Sequence, residues 1–367
     1  MNCKTFQSTA VSCLGMGNMR LPTFAPEDPQ KIRYEDAFPV IDAAYQSGIT
    51  YFDTAYVYNN GDSEQCLGEC MKKYPRESFQ LATKFNLIAN PDYEAVFEEQ
   101  LERLQTDYID FYLLHCILDD RAQKYIDSGA IEFFQKKKAE GKIRYFGFSS
   151  HASPETLEKF ASLQQWDFAQ IQLNYFDWAY RTARQEYEIL HGKSIPIMVM
   201  EPVRGGRLSS LCPEAEALLK AARPDWSISS WAMRFVKSLP GIQVVLSGMN
   251  SLAQVADNTA VFSDDTEFTA EDEKTLFAAC DLFRSYLEVP CTGCGYCVPK
   301  CPMQINIPEF MKLYNEYRIN REEKVKGLEK VSSVGAVQDC LSCGACRKQC
   351  PQGINIPQIV KELKENA

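Results

Sequence analysis

The chain has 367 residues, of which 45% are apolar and 24% are charged, and its formal net charge is −10. This composition is typical of a globular protein with room for one large domain and one small domain. The negative charge argues against nucleic acid or an anionic membrane surface as a partner. No stretch approaches the roughly 18 apolar residues of a membrane span, and the N-terminus lacks the apolar core of a signal peptide. We therefore expect a cytoplasmic protein, with which the scattered cysteines of the N-terminal part agree.

The N-terminal part alternates short segments rich in β-branched and aromatic residues with segments of helical period. After an N-terminal stretch around Leu14–Leu21, the predicted strands are Thr50–Thr54, Phe79–Lys84, Tyr108–His115, Ile143–Ser149, Ala169–Asn174, Ile195–Met200 and Gln243–Ser247. The predicted helices are Ala37–Ser47, Glu64–Lys73, Tyr93–Leu104, Ile131–Glu140, Pro154–Leu163, Thr182–His191 and Leu252–Val261. Seven strand–helix units and the N-terminal stretch predict the α/β class and a (β/α)8 TIM barrel.

An open doubly wound sheet is the alternative architecture. Its nucleotide-binding turn needs a third glycine after Gly15 and Gly17 and a helix behind it. Here the chain continues as Asn18, Met19 and Arg20. We therefore favour the barrel.

Polar residues end several of the predicted apolar strands. Asp53, Lys84 and His115 are the clearest cases, on three successive strands. In a barrel the carboxyl ends of the strands meet at one mouth, where catalytic residues lie. Because a buried acid, amine and imidazole are costly unless they are paired, we expect these side chains to interact.

Several motifs, in order along the chain, resemble the signature of the aldo-keto reductase superfamily. They are FDTAYVY at 52–58 followed by Ser63-Glu64, ATKF at 82–85, YID at 108–110 leading into LLH at 113–115, GKIR at 141–144 followed by Gly147 and Ser149, and the alternating Gln170, Gln172 and Asn174. The resemblance covers about residues 5–262. It implies a (β/α)8 barrel that binds a nicotinamide cofactor without a Rossmann fold and reduces carbonyls.

The resemblance also implies a catalytic tetrad of Asp53, Tyr58, Lys84 and His115. Tyr58 would donate the proton that a carbonyl oxygen needs as hydride arrives. Lys84 would lower the pKa of that phenol, and Asp53 would hold Lys84 charged and oriented. His115 would hydrogen-bond the carbonyl oxygen. The family's five-residue step from the aspartate selects Tyr58 over Tyr56.

The cofactor contacts follow from the same resemblance. Ser149, Ser150 and Gln170 correspond to residues that hold the nicotinamide carboxamide, and Met200 stands where many members stack a tyrosine. The segment containing Glu201, Arg204 and Gly205 resembles the pyrophosphate loop. Ser247, Gly248, Gln254, Asp257 and Asn258 align with the segment that holds the adenosine end.

The choice between NADH and NADPH depends on charges near the ribose. Members that prefer the 2′-phosphate often place Lys and Arg where this chain has Gly248 and Gln254. The prediction is NAD(P)H, with NADH slightly favoured over NADPH. Arg204 or Arg207 is the alternative source of a cation for the phosphate.

A second domain is predicted at residues 266–367, after a barrel domain at residues 1–265. It begins with a helix near Ala270–Tyr286 and contains two near-identical cysteine runs. The runs are Cys291, Cys294, Cys297 and Cys301 before Pro302, and Cys340, Cys343, Cys346 and Cys350 before Pro351. Each run is followed by Ile-Asn-Ile-Pro and a helical pattern, so this domain is an internal duplication.

The cysteine spacing predicts two 4Fe-4S clusters. In two-cluster ferredoxins three cysteines of a run bind one cluster and the fourth binds the other. On this crossed pattern, one cluster takes Cys291, Cys294, Cys297 and Cys350, and the other takes Cys340, Cys343, Cys346 and Cys301. Zinc is the alternative, although zinc sites usually have two separated cysteine pairs. A disulfide framework is less expected in an intracellular chain.

The long spacer between the runs makes the domain resemble helical ferredoxin modules attached to larger oxidoreductases. Within it, the basic segment Arg318–Lys330 is a candidate contact for an acidic electron carrier, although a solvated helix or loop is the simpler interpretation.

The two domains pose a mechanistic question, because nicotinamide passes two electrons as hydride and each cluster passes one. A flavin normally mediates between them, and the sequence shows no flavin motif. One hypothesis is an enzyme that reduces a small carbonyl compound, or catalyses the reverse oxidation of the alcohol, and whose clusters exchange electrons with a ferredoxin or flavoprotein. Another is a reductase with structural or redox-sensing clusters. A third is a non-catalytic or regulatory nicotinamide-binding subunit of an electron-transfer complex, which the complete tetrad disfavours.

Overall fold

The computed structural model describes residues 1–25, 27–284, 289–319 and 325–366. The strands are β1 (Cys3–Phe6), β2 (Thr9–Ser12), β3 (Leu14–Gly17), β4 (Thr23–Phe24), β5 (Asp28–Ile32), β6 (Tyr51–Asp53), β7 (Gln80–Phe85), β8 (Ile109–Ile117), β9 (Ile143–Ser150), β10 (Phe168–Gln172), β11 (Ile197–Met200) and β12 (Ile242–Ser247). The helices are α1 (Tyr34–Gln46), α2 (Asp62–Met71), α3 (Tyr93–Arg103), α4 (Ala122–Asp127), α5 (Ala130–Ala139), α6 (Pro154–Ala161), α7 (Tyr175–Tyr180), α8 (Ala183–Gly192), α9 (Pro213–Ala222), α10 (Ile228–Ser238), α11 (Leu252–Ser263), α12 (Ala270–Arg284), α13 (Ile307–Ile319), α14 (Ala345–Gln349) and α15 (Ile356–Glu365).

Eight parallel strands close into a barrel in the order β3, β6, β7, β8, β9, β10, β11 and β12, and β12 pairs back onto β3. The predicted (β/α)8 barrel is therefore confirmed, and the open doubly wound sheet is excluded. The seven predicted strands have both ends within two residues of the observed ones. Short apolar runs locate the strands well here, because a parallel barrel strand is buried on both faces and its sequence is apolar at almost every position.

Aromatic and aliphatic side chains fill the barrel interior. Tyr51, Phe111, Tyr145 and Phe168 form this core with Phe6 of the β1–β2 hairpin. The Phe6 ring centroid lies 4.8 Å from that of Tyr145 and 5.2 Å from that of Phe111, both at steep interplanar angles. The hairpin residue thereby completes the apolar core, whereas the polar side chains gather at the carboxyl ends of the strands.

The chain divides into two compact units. The first consists of residues 1–202 and 230–269, and the second of residues 203–229 and 270–367. The sequence predicts domains of residues 1–265 and 266–367. The compact units divide the chain after Thr269 and assign residues 203–229 to the unit that carries the cysteine runs.

The second unit is mainly helical, as predicted. Helices α9 and α12 are joined by Arg223, whose guanidinium donates to both carboxylate oxygens of Asp272 at 2.8 Å. The repeated Ile-Asn-Ile-Pro motif starts α13 at Ile307 and α15 at Ile356, and both isoleucines belong to one apolar core. The sequence duplication is therefore a duplication of cysteine loop and helix.

Two sequence predictions extend beyond the described residues. Helix α12 is described to Arg284, so its predicted end at Tyr286 lies outside them. The basic segment Arg318–Lys330 includes residues 320–324, which also lie outside them. In the part of the chain that is described, no helix combines the length and the apolar character needed to cross a bilayer.

Candidate active site and candidate iron–sulfur centres

The four residues of the predicted tetrad reach the barrel mouth from three neighbouring strands. Asp53 is the last residue of β6, Lys84 lies one residue before the end of β7, and His115 lies near the end of β8. Tyr58 begins a short 3-10 turn that follows β6. Parallel pairing of β6 with β7 and of β7 with β8 brings these positions to one end of the barrel.

The Lys84 ammonium is the centre of this group. Its Nζ donates to Asp53 Oδ1 at 2.6 Å and to the Thr54 carbonyl oxygen at 2.6 Å. The Tyr58 hydroxyl is a further hydrogen-bond partner of the ammonium, which lies 4.8 Å from the Tyr58 ring centroid. The Tyr58 and His115 rings meet edge to face, with centroids 5.6 Å apart. All four side chains are buried, so the structure brings the predicted tetrad together.

Burial and charge set the protonation states of two members. Burial acts to lower the pKa of Lys84, but the Asp53 carboxylate and the Tyr58 hydroxyl outweigh it and raise that pKa. Burial lowers the pKa of His115 well below its ordinary value, and the nearby charge of Lys84 acts in the same direction. At neutral pH the lysine is therefore charged and the histidine neutral.

Tyr56 lies two residues from Tyr58 but has different contacts. Its hydroxyl donates to Glu99 Oε2 at 2.9 Å, and the Arg103 guanidinium lies 4.6 Å from its ring centroid. Tyr56 thus belongs to a network around α3. Of the two tyrosines, Tyr58 is the one that lies beside Lys84 and His115.

A buried polar network supports β7 beneath the tetrad, and the sequence analysis missed it. Glu64 is fully buried and accepts hydrogen bonds from Thr83, Gln100 and Arg103. Gln100 Nε2 also donates to the Lys84 carbonyl oxygen at 3.2 Å. Because an unpaired carboxylate here would be costly, this network fixes the strand that carries Lys84.

A second missed group lies at the ends of β8 and β9. Arg121 is 8% exposed and directs Nη1 towards Cys116 Sγ at 3.8 Å, and Cys116 has a φ of 60°. The Arg121 charge helps to lower the pKa of the neighbouring His115, and His151 lies close enough to act on the same ring when it is protonated. One signal was available in the sequence, because His151 is one of only three histidines and directly follows a predicted strand.

The predicted nicotinamide-binding residues lie on β9 and β10. Ser149 Oγ accepts from the Cys116 backbone N–H, and Ser150 Oγ accepts from that of Ala152. Gln170 is buried, and its Oε1 has no hydrogen-bond partner among the described residues. An orphaned buried acceptor fits the amide donors of a nicotinamide carboxamide, so these residues suit the cofactor.

The predicted adenosine-end residues surround the start of α11. Asn258 Nδ2 donates to Ser247 Oγ at 2.8 Å, and Gln254 Oε1 accepts from the Asn250 backbone N–H. A Cβ on Gly248 would lie 3.1 Å from Cδ of Arg20. A cation missed by the sequence analysis is therefore adjacent to this loop. Asp257 lies within α11, one residue before Asn258.

The predicted pyrophosphate segment is divided between the two units. Met200 and Glu201 lie in the barrel unit, and Asn174 Nδ2 donates to the Glu201 carbonyl oxygen. Arg204 and Gly205 lie in the second unit. The buried Arg204 guanidinium donates to the Pro290 carbonyl oxygen at 3.2 Å. At least one of its donors is thus directed at the entry to the first cysteine run.

The eight cysteines surround two cavities in the crossed pattern. One cavity, with about 330 Å³ of space partly open to solvent, is lined by Cys291, Cys294, Cys297 and Cys350. The other, with about 390 Å³, is lined by Cys301, Cys340, Cys343 and Cys346. Cys350 of the second run thus lines a cavity with three cysteines of the first run. Cys301 of the first run lines the other cavity with three cysteines of the second run.

The donor chemistry of the cavities fits cubane clusters, because four cysteines line each one. Among the described residues, no group of three or more His, Cys, Asp or Glu side chains is spaced to hold a single metal ion. The quartets surround a volume, which suits a four-iron cluster rather than one tetrahedral zinc. Burial raises the pKa of the Cys297 thiol, so bound iron would supply the charge that stabilises its thiolate.

The half-buried His151 makes the stability of the barrel dependent on pH. Burial lowers the pKa of His151 to about 4, and the Arg121 charge acts in the same direction. An unfolded histidine titrates near pH 6.5, so below that pH the unfolded state binds a proton that the folded state does not. Stability should therefore fall as the pH drops from 6.5 towards 4.

In a His151→Gln variant, the stability lost between pH 7 and pH 5 should be smaller than in the wild type by about 1–2 kcal/mol. Urea unfolding followed by near-ultraviolet circular dichroism at both pH values measures this difference. His191→Gln is the control, because its ring stacks on Tyr187 of α8. Equal effects of the two substitutions would contradict the prediction.

Comparison with known families agrees with this division of the chain. Residues 13–279 match the aldo/keto reductase family, and residues 290–354 match a 4Fe-4S dicluster domain. An uncharacterized oxidoreductase of Bacillus subtilis (strain 168), YqkF, is 26% identical over 299 residues, covering 72% of this chain and 92% of that protein. A probable aldo-keto reductase 1 of Glycine max is 34% identical over 195 residues, covering 50% of this chain. The match spans 53% of that relative's length.

Solved structures show the same fold. The holo form of an aldo-keto reductase from Bacillus halodurans is 26% identical, with a TM-score of 0.63, covering 76% of this chain and 96% of that one. An aldo-keto reductase from Klebsiella pneumoniae in complex with NADPH is 24% identical, with a TM-score of 0.61. The match covers 77% of this chain and 96% of that one. The family match spans most of the chain: this protein belongs to the aldo/keto reductase family and carries a C-terminal 4Fe-4S dicluster domain.

Proposed function

We propose that the protein is an NAD(P)H-linked oxidoreductase that reduces a small carbonyl compound to an alcohol, or catalyses the reverse oxidation. The observation that carries this proposal is the buried Asp53–Lys84 pair beside the Tyr58 hydroxyl and a neutral His115. In the forward direction the carbonyl carbon receives a hydride and the oxygen receives a proton. Bound NAD(P)H would supply the hydride.

The tetrad provides the proton and stabilises the developing charge. Tyr58 donates its hydroxyl proton to the carbonyl oxygen, and the charged Lys84 makes that donation easier because it favours the phenolate. Asp53 and the Thr54 carbonyl oxygen hold the ammonium in place. A neutral His115 keeps one ring N–H as a hydrogen-bond donor for the same oxygen without adding a second positive charge.

Tyr58→Phe should lower kcat for carbonyl reduction by roughly 10²–10⁴, because the general acid is lost while the ring remains. Tyr56→Phe is a matched control two residues away, since its hydroxyl is bound to Glu99. Steady-state reduction of a panel of small aldehydes and ketones by NADH and NADPH measures both variants. Equal losses in the two variants would contradict the assignment of Tyr58, and an active Tyr58→Phe protein would overturn the proposed reaction.

For the cofactor, Gly248 and Gln254 place no charge at the adenosine end, which favours NADH slightly over NADPH. The Klebsiella pneumoniae structure holds NADPH, and Arg20 beside Gly248 is a candidate partner of a 2′-phosphate here. We expect NADH to bind at least as tightly as NADPH in fluorescence titrations of the purified protein. A large NADPH advantage that disappears in Arg20→Ala, but not in the surface variant Lys72→Ala, would contradict this expectation.

We further propose that the eight cysteines bind two 4Fe-4S clusters, which transfer single electrons to or from a ferredoxin or flavoprotein in a reducing cytoplasm. The crossed lining of the two cavities supports this assignment. The second run includes an exposed cysteine, Cys343, and the exposed Leu341 beside Cys340, so its cavity is accessible to a partner. The alternative is a reductase whose clusters are structural.

Crossed binding has a specific consequence. Cys350→Ala should remove the same cluster signal as Cys294→Ala, although Cys350 belongs to the other run, and Cys301→Ala should remove the other signal. Iron and sulfide content and EPR spectra of the anaerobically reduced protein measure this. Cys280→Ala, a buried cysteine of α12, is the control. If Cys350→Ala and Cys343→Ala removed the same signal, each run would bind its own cluster.

The same cysteine variants separate the two roles of the clusters. Carbonyl reduction by NAD(P)H that survives the loss of a cluster in a folded protein would favour structural clusters. Dependence of turnover on both clusters would favour electron exchange with a partner.

A further inference from the structure

Two arginines that the sequence places near the cofactor lie against the first cysteine run. Arg204 Nη2 donates to the Pro290 carbonyl oxygen at 3.2 Å, and Arg207 Nε donates to the Cys291 carbonyl oxygen at 3.2 Å. Both arginines belong to the same compact unit as the cysteines. Arg204 is fully buried, and Arg207 is partly buried. Two positive charges therefore lie where the chain enters the cavity lined by Cys291, Cys294, Cys297 and Cys350, which would hold the first cluster.

The internal duplication allows a direct comparison with the second run. In both runs a backbone N–H donates to the first cysteine sulfur at 3.4 Å: Gly293 to Cys291, and Ser342 to Cys340. The Cys340 carbonyl oxygen accepts from Lys364 at 2.9 Å, and this side chain is partly buried, as that of Arg207 is. The backbone donors to the first sulfur are thus alike in the two runs, but at the entry carbonyl oxygens the first run has one cation more, the fully buried Arg204.

This difference has an electrostatic consequence for a bound cluster. A cubane held by four thiolates is anionic, and one-electron reduction adds a further negative charge. Net charge, hydrogen bonds and exposure set the reduction potential of such clusters. A buried cation is screened less by solvent and salt than an exposed one, so it stabilises the reduced cluster more.

We propose that Arg204 and Arg207 tune the first cluster, acting as positioning residues that hold its entry peptide and make it the more easily reduced of the two. The first cluster would then hold an electron in preference to the second, which has the more exposed surroundings. The inference depends on cluster binding by the eight cysteines and not on the carbonyl reductase activity.

Potentiometric EPR titration of the whole protein tests the inference. The signal lost in Cys294→Ala identifies the first cluster, and the signal lost in Cys343→Ala identifies the second. In the wild type the first cluster should be reduced at the higher potential. Arg207→Gln should lower the equilibrium constant for reduction of the first cluster on the order of tenfold. The reduction potential of the second cluster should not change.

Three matched variants isolate the charge. Arg207→Lys keeps the positive charge and should retain most of the wild-type potential. Arg204→Lys also keeps the positive charge and should retain most of the wild-type potential. It is used at this buried position because a neutral residue there could prevent folding. Lys364→Gln should affect the second cluster and spare the first.

Charge tuning by Arg207 and cluster binding by the cysteines can fail separately. Arg207→Gln with full iron and sulfide content and an unchanged potential of the first cluster would overturn the inference. So would a shift of both clusters, or an equal loss of the first cluster in Arg207→Gln and Arg207→Lys. Weaker NADPH binding with both potentials unchanged would instead assign Arg207 to the 2′-phosphate. A wild-type protein without iron and sulfide would overturn the cluster assignment and the inference together.

Discussion

The buried ion pair between Lys84 and Asp53 is the interaction on which the barrel site depends. Both side chains are almost fully withdrawn from water, and the Lys84 Nζ to Asp53 Oδ1 distance is 2.6 Å. Removing one partner would leave an uncompensated charge at the end of an apolar strand, a cost of about 3–5 kcal/mol in other proteins. The pair is tolerated because a third polar group, the Thr54 carbonyl oxygen, completes the coordination of the ammonium. A charged lysine held in this way can act on the adjacent phenol, which is the chemical basis of the proposed reaction.

The second unit combines an apolar core with two cysteine-lined cavities. Its apolar core is assembled from two copies of a cysteine loop and a helix, and both copies contribute isoleucines to it. Because each quartet takes one cysteine from the opposite run, binding of clusters would tie the two copies together. Metal binding and folding should therefore be coupled in this unit, whereas the barrel has its own hydrophobic core.

Residues 203–229 belong to the second unit although they lie within the barrel part of the sequence. The segment lies in the chain between β11 and α10, as expected of a loop in the barrel, yet it is compact with the cysteine-containing unit. Its arginines bind carbonyl oxygens of Pro290 and Cys291. A segment whose sequence resembles the family's pyrophosphate loop therefore contacts the entry to the first cysteine run within the second unit.

The sequence by itself predicted the barrel, which the structure confirms, and it named the residues of both candidate sites. Apolar strands that end at Asp53, Lys84 and His115 predict one polar mouth, because parallel strands in a barrel align their carboxyl ends. The spacing of the cysteines likewise predicts two crossed quartets, because it is a local pattern repeated twice. Only the tertiary structure decided the contacts of Arg204 and Arg207, the position of Arg121 and His151 beside His115, and the contact of Tyr56 with Glu99. These depend on which distant segment packs against each side chain, and spacing along the chain carries no information about such partners.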